Sequence, residues 1–219
     1  MIADAIKQIE RQLAGKAALI AVTKTKPVAL LREAYNAGCR QFGENKVQEM
    51  AEKQPQLPAD VQWHLIGHLQ TNKVKYIAPF VALIQSVDSL RLLQEINKQA
   101  ARQNRTIDCL LQIYIADEET KFGLSADEAE ALLTDVTLDE LLNIRIIGLM
   151  GLATNTDNEE QVRQEFRGLK ALYDKLARIQ RSMIQFSELS MGMSGDYRLA
   201  VEEGSTMVRV GSAIFGSRN

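Results

Sequence analysis

Apolar residues Ile2, Ile6, Ile9 and Leu13 recur at helical spacing with charges opposite them, which predicts an amphipathic helix over residues 2–14. The period then changes. Residues 17–22, Ala-Ala-Leu-Ile-Ala-Val, are short, continuous and apolar, the pattern of a strand buried on both faces of a parallel sheet. Pro27 suits the first turn of a new helix, where its missing N–H costs nothing, and Gly38 stops the helical pattern of residues 28–37. The same alternation continues to the end. Strands are predicted over residues 40–43, 61–66, 81–87, 108–115, 144–149, 186–190 and 207–210. Helical patterns separate them, the clearest at 90–102, 126–142 and 160–180. The last carries Val162, Phe166, Leu169, Tyr173 and Leu176 at near-heptad spacing, but too few heptads follow for a coiled coil.

Eight strands alternating with helices, at a mean spacing of roughly 27 residues, predict an α/β fold: a single (β/α)8 TIM-type barrel with an extra N-terminal helix, one domain over residues 1–219. An open doubly wound sheet is the competing architecture, and the eight-fold count favours the barrel. Only residues 211–219 follow the eighth strand, too few for a full closing helix, so the N-terminal helix is expected to cover that gap.

Composition narrows the function classes. The 26 basic and 28 acidic residues nearly balance, which argues against general nucleic-acid binding while leaving room for one local basic pocket. No apolar run is long enough to span a bilayer, and Asp4, Lys7, Glu10 and Arg11 interrupt any signal-peptide core. Cys39 and Cys109 have neither metal nor redox spacing and fit a cytoplasmic protein with reduced thiols. P-loop and dinucleotide fingerprints are absent. His64 and His68 are four apart but lack the glutamate and the helix of a zinc protease. Asp117, Glu118 and Glu119 read as a solvated acidic loop.

In a barrel, chemistry sits where strands run into the following loops. Lys24 follows the first strand, Glu44 and Asn45 the second, Met193 and Ser194 the seventh; Arg209, Gly211 and Ser212 end the eighth, and His64 lies within the third. A lysine at the mouth of a buried strand is a candidate Schiff-base nucleophile, although lysines there more often extend to solvent. Lys26, next to Pro27, belongs on the rim. The Gly211-Ser212 turn, with Ser194-Gly195, suits a phosphate cradle between the loops after strands seven and eight; two glycine turns that merely reverse the chain fit the local sequence equally well.

Five spaced segments resemble the pyridoxal-phosphate homeostasis proteins, single-domain relatives of the alanine racemase N-terminal barrel. They are Ala21-Val22-Thr23-Lys24-Thr25-Lys26-Pro27; Phe42-Gly43-Glu44-Asn45; Trp63-His64-Leu65-Ile66-Gly67 with Leu69-Gln70-Thr71-Asn72-Lys73; Gly148-Leu149-Met150; and Leu189-Ser190-Met191-Gly192-Met193-Ser194 with Gly204-Ser205-Thr206-Met207-Val208-Arg209-Val210-Gly211. The resemblance spans nearly the whole chain in the family's order. It implies that Lys24 holds pyridoxal 5′-phosphate (PLP) as an internal aldimine, and that Ser194, Gly211 and Ser212 bind its phosphate. Arg209 would face the pyridine nitrogen, Asn45 and His64 would line the ring side, and Met193 would pack near it. Ser212 and Thr23 stand where the family often has threonine and serine, and each keeps a hydroxyl.

An arginine at the ring nitrogen repels the proton that makes PLP a strong electron sink. Alanine racemase also draws a tyrosine from another domain, and this sequence ends at Asn219, just past the eighth strand. The resemblance therefore implies a carrier that keeps PLP and amino- and keto-acid levels in balance, with no metal and no established turnover. The alternative is a small fold-type III PLP enzyme such as an amino-acid racemase. The partners implied are PLP, amino acids and apo forms of PLP enzymes; the helical patterns show no exposed apolar seam that demands a dimer, so a monomer is expected.

Overall fold

The computed structural model describes residues 1–116 and 122–216. Eight parallel strands pair in chain order and close into a barrel: β1 (Ala18–Val22), β2 (Gln41–Glu44), β3 (Gln62–Leu65), β4 (Leu83–Val87), β5 (Ile107–Tyr114), β6 (Ile144–Leu152), β7 (Ile184–Ser190) and β8 (Met207–Val210). Closure is the pairing of β8 back onto β1, with Ala18 opposite Met207 and Ala21 opposite Val210. The helices are α1 (Ile2–Leu13), α2 (Val28–Asn36), α3 (Val47–Lys53), α4 (Val74–Ile77), α5 (Leu90–Arg102), α6 (Ala126–Thr134), α7 (Glu159–Leu176), α8 (Tyr197–Glu202) and α9 (Ser212–Phe215). The TIM-type barrel expected from the sequence is the fold observed.

The two-residue period of a strand builds the interior in layers. Ile20, Leu83, Leu110, Met150 and Met207 cluster inside the barrel, all buried, as an apolar plug. Two residues further along the same strands, the same face presents Val22, Gln85, Gln112, Leu152 and Arg209. Lys24 follows Val22 by two more. The intervening residues, such as Ala21, Phe42, Leu65 and Val208, point outward into the core shared with the helices. The strand pattern thus places apolar side chains at the base and polar ones at the C-terminal mouth.

α1 does cover the position left by the short α9, packing on β1, α2, α8 and α9, with the Tyr197 hydroxyl bonded to Gln12 Oε1. One predicted helix is divided. Residues 126–142 form α6 and then a separate 3₁₀ turn, Val136–Glu140. Asp135 breaks the helix: its backbone is extended, and its carboxylate accepts from the Thr137 N–H and hydroxyl, satisfying the start of the new turn. Val136, within the range expected to be helical, is consequently 76 % exposed. The 160–180 pattern ends as a helix at Leu176.

Candidate functional site

Strand β1 runs into a tight turn over residues 23–26, closed by the Lys26 N–H donating to Thr23 O at 3.0 Å. Lys24 occupies the second position of this turn, and the inward face of β1 carries it into a cavity of about 460 Å³ at the barrel mouth. Val22, Asn45, Ile66, Leu152 and Met193 line it beside Arg209, Ser194, Gly211 and Ser212. Among the described residues its charged lining is Lys24, Lys26 and Arg209, three cations and no carboxylate. That balance suits an anionic ligand.

The cavity floor is a directed hydrogen-bond chain that crosses the barrel. Arg209 Nη1 donates to Ser190 Oγ at 2.5 Å, and its Nη2 to Gly151 O at 2.8 Å. Ser190 Oγ donates to Gln85 Oε1 at 2.6 Å, and Gln85 Nε2 lies 3.0 Å from His64 Nδ1. Every member is buried. With its oxygen taken by Ser190, Gln85 presents its amide N–H to His64, so Nδ1 is the acceptor and the proton resides on Nε2. Burial pulls the His64 pKa down to about 4, which keeps the ring neutral. Burial likewise lowers Arg209 to about 10, with the Asp196 carboxylate opposing, so the guanidinium stays charged at neutral pH.

The rim beside Lys24 is built from the loops after β7 and β8. Ser194 Oγ accepts from the N–H groups of Gly211 (3.1 Å) and Ala213 (3.4 Å), leaving its own O–H to donate into the cavity. Gly211 is pressed on β1: a Cβ there would sit 3.3 Å from Val22, so a side chain would push the two walls apart. Lys26 ties the first turn to this rim by donating to Phe215 O and Gly216 O, both at 3.2 Å. Asn45 is fixed from behind, because Gly67 comes so close that a Cβ would lie 2.3 Å from Asn45 O.

Seven of the eight residues given a role by the resemblance share this cavity: Lys24, Asn45, Met193, Ser194, Arg209, Gly211 and Ser212; Glu44, also placed at a strand end, does not line it. His64 does not line it. It lies 3 % exposed in the barrel interior and reaches Arg209 only through Gln85 and Ser190. The sequence reading missed Gln85 and Ser190. Both carried a signal, since polar side chains inside apolar strands need partners.

His68, Cys39 and Cys109 lie outside this cavity. His68 is exposed, 3.4 Å from Asp88, and no group of three metal-ligand residues occurs among the described residues. Asp117, Glu118 and Glu119 lie outside the described residues. Cys39 and Cys109 are buried thiols whose pKa values are raised by desolvation, that of Cys39 to about 11. No helix of the described residues is long and apolar enough to cross a membrane.

Comparison with known proteins agrees with the barrel fold. The family model for the alanine racemase N-terminal domain matches residues 1–219. A pyridoxal phosphate homeostasis protein of Aquifex aeolicus is 42 % identical over 215 residues, covering 97 % of this chain and 92 % of its own. The PipY protein of Synechococcus elongatus PCC7942 superposes with a TM-score of 0.92 without PLP, at 37 % identity over 99 % of this chain and 100 % of that one. Its PLP-bound form gives 0.89 at 36 % identity, with the same coverage. An alanine racemase from Bartonella henselae shares the fold at 18 % identity and a TM-score of 0.73, this chain matching 58 % of that one. The chain therefore belongs to the alanine racemase N-terminal domain family and, within it, to the pyridoxal phosphate homeostasis proteins.

Proposed function

We propose that this protein binds PLP at the barrel mouth, holds it covalently through Lys24, and maintains the supply of that cofactor and the balance of amino and keto acids without robust catalysis. The observation that carries the reading is the shared cavity: an amine on one wall, a hydroxyl and glycine rim on another, and a buried guanidinium on the floor. PLP supplies an aldehyde that condenses with amines and a ring that withdraws electrons from a bound amino acid. The donor set fits it. Ser194, Gly211 and Ser212 would hold the phosphate, Lys24 the aldehyde carbon, and Arg209 the ring nitrogen. Asn45 and Met193 would bound the ring, while His64 would act from below by fixing Gln85.

The same residues argue against fast turnover. Arg209 is held by two hydrogen bonds and keeps its charge, so it opposes a proton on any ring nitrogen placed against it. Racemisation needs proton donors on both sides of one carbon. Here Lys24 and Lys26 leave the same turn, and His64 is sealed beneath the floor. Amine exchange at Lys24 asks for much less, an open mouth and a nucleophile. This supports a role in passing cofactor to apo PLP enzymes or to free amino acids. Among the described residues no helix exposes more than one large apolar side chain, which supports a monomer. The unpaired buried cysteines suit the cytoplasm.

The test loads the protein with PLP, reduces it with borohydride and maps the labelled peptide. Label on Lys24 is the expected result; label on another lysine, or none, overturns the reading. The loaded protein is then mixed with an apo PLP enzyme and, separately, with L-alanine. Rescue of the enzyme without racemisation is expected. Fast racemisation without rescue would make the chain a racemase.

A further inference from the structure

The turn that carries Lys24 is strained. Thr25, its third residue, has φ +64°, where turns of this kind take glycine or asparagine and where a β-branched side chain is unfavourable. Such a conformation persists only when its surroundings over-determine it. The surroundings here are a charged cluster on the outer side of the barrel, away from the cavity. Thr23, alternating with Lys24, points outward and donates to Glu44 Oε1 at 2.6 Å. Lys53, 6 % exposed on α3, directs its ammonium at three acceptors: Thr23 O (2.8 Å), Glu44 Oε1 (2.7 Å) and Glu49 Oε1 (2.6 Å). Glu49 Oε1 in turn accepts the Thr25 N–H at 2.6 Å. One buried ammonium thus grips the turn on both sides of Lys24, by the carbonyl before it and, through Glu49, by the amide after it.

This arrangement is costly to build. Glu44 is fully buried, its Oε2 has no hydrogen-bond partner among the described residues, and burial pushes its pKa up against the pull of Lys53 and Thr23. Buried ion pairs of this kind add little net stability over an apolar core. Their worth lies in fixing geometry, and the geometry fixed here is that of one turn.

We propose that Glu44, Lys53 and Glu49 form a positioning clamp, which holds the strained 23–26 turn and so keeps the Lys24 amine inside the cavity and sets how slowly PLP leaves. The release part of the proposal rests on the reading of Lys24 as the cofactor-holding amine. The clamp itself does not.

The variants act at Glu49, the partly exposed end of the cluster, because replacing buried Lys53 endangers the fold. Glu49→Ala removes the acceptor for the Thr25 N–H, Glu49→Gln keeps one, and Thr25→Gly added to Glu49→Ala removes the strain. Two rates are read: hydrogen exchange of the Thr25 amide in the protein without PLP, and release of PLP into excess trapping amine. Glu49→Ala should speed each by about tenfold, the order expected for one charge-assisted hydrogen bond guarding one strained residue. Glu49→Gln should stay close to wild type, and Thr25→Gly should return release in the double variant toward it. Wild-type rates in Glu49→Ala, or failure of Thr25→Gly to restore release, overturn the clamp. Should wild-type protein form no covalent bond with PLP, the functional reading fails, and amide exchange still decides the clamp.

Discussion

Replacing Ser190 with alanine tests whether the cavity floor is a connected device. The Ser190 hydroxyl is fully buried and serves two neighbours at once, accepting from Arg209 at 2.5 Å and donating to Gln85 at 2.6 Å. Alanine removes a hydrogen bond to a charged group, worth about 1.5–3 kcal/mol, and strands Gln85 Oε1, at roughly 1–3 kcal/mol more. Allowing for partial relaxation, the loss should be about 3–5 kcal/mol. With a urea slope of about 2–3 kcal/mol/M, the midpoint should fall by about 1–2.5 M at unchanged slope. Ser86→Ala is the internal control, since Ser86 is 1 % exposed on the same strand as Gln85 and its Oγ has no hydrogen-bond partner among the described residues. It should leave stability unchanged or raise it, because no bond among the described residues is broken and a buried unpartnered hydroxyl is removed. A Ser190→Ala loss under about 1 kcal/mol, or equal losses in the two variants, would refute the idea that the floor acts as one hydrogen-bonded unit.

Acid should weaken the fold through His64. Its folded pKa of about 4 lies below the ordinary 6.5, so between these values the unfolded chain binds the extra proton and stability falls as pH falls. The full contribution is present above pH 6.5 and amounts to about 3 kcal/mol, which urea midpoints between pH 7 and pH 4 would register and His64→Gln should flatten. At the mouth, Lys24→Ala should abolish the visible absorbance of PLP-loaded protein, whereas Lys26→Ala should keep it; absorbance that survives only in Lys24→Ala would reverse their roles. Ser194→Ala should lower affinity for PLP about tenfold, as measured by equilibrium dialysis, with little effect on pyridoxal, which lacks the phosphate. Equal effects on the two would remove Ser194 from the phosphate rim.

The barrel was legible because parallel strands buried on both faces read as unbroken apolar runs, and because polar residues gather where those runs end. Lys24, Asn45, Ser194 and Arg209 could be picked out on that basis, the first, second and fourth within a residue or two of a strand terminus and Ser194 four residues past one. Other features needed three dimensions. His64 stands in a typical strand-three position, and only the cross-barrel bond of Gln85 to Ser190 shows that it supports the floor without lining the cavity. Lys53 belongs to a seven-residue helix of mixed polarity, and nothing local distinguishes it from a solvated lysine until α3 folds over the end of β1. Asp135 misled the helical count because its side chain competes with the backbone for hydrogen bonds, which a periodicity argument does not weigh.

The apolar plug of Ile20, Leu83, Leu110, Met150 and Met207 makes the barrel a cup with a sealed base. A ligand held at Lys24 would therefore enter and leave by the same doorway, past Leu152 and Met193, with no second exit through the base. On the proposed reading, a recipient would have to come to the lip of this cup. The rate of hand-over would then depend on how the acceptor meets the rim as well as on the bond being exchanged, and side chains around the opening would influence delivery although they touch neither the amine nor the phosphate.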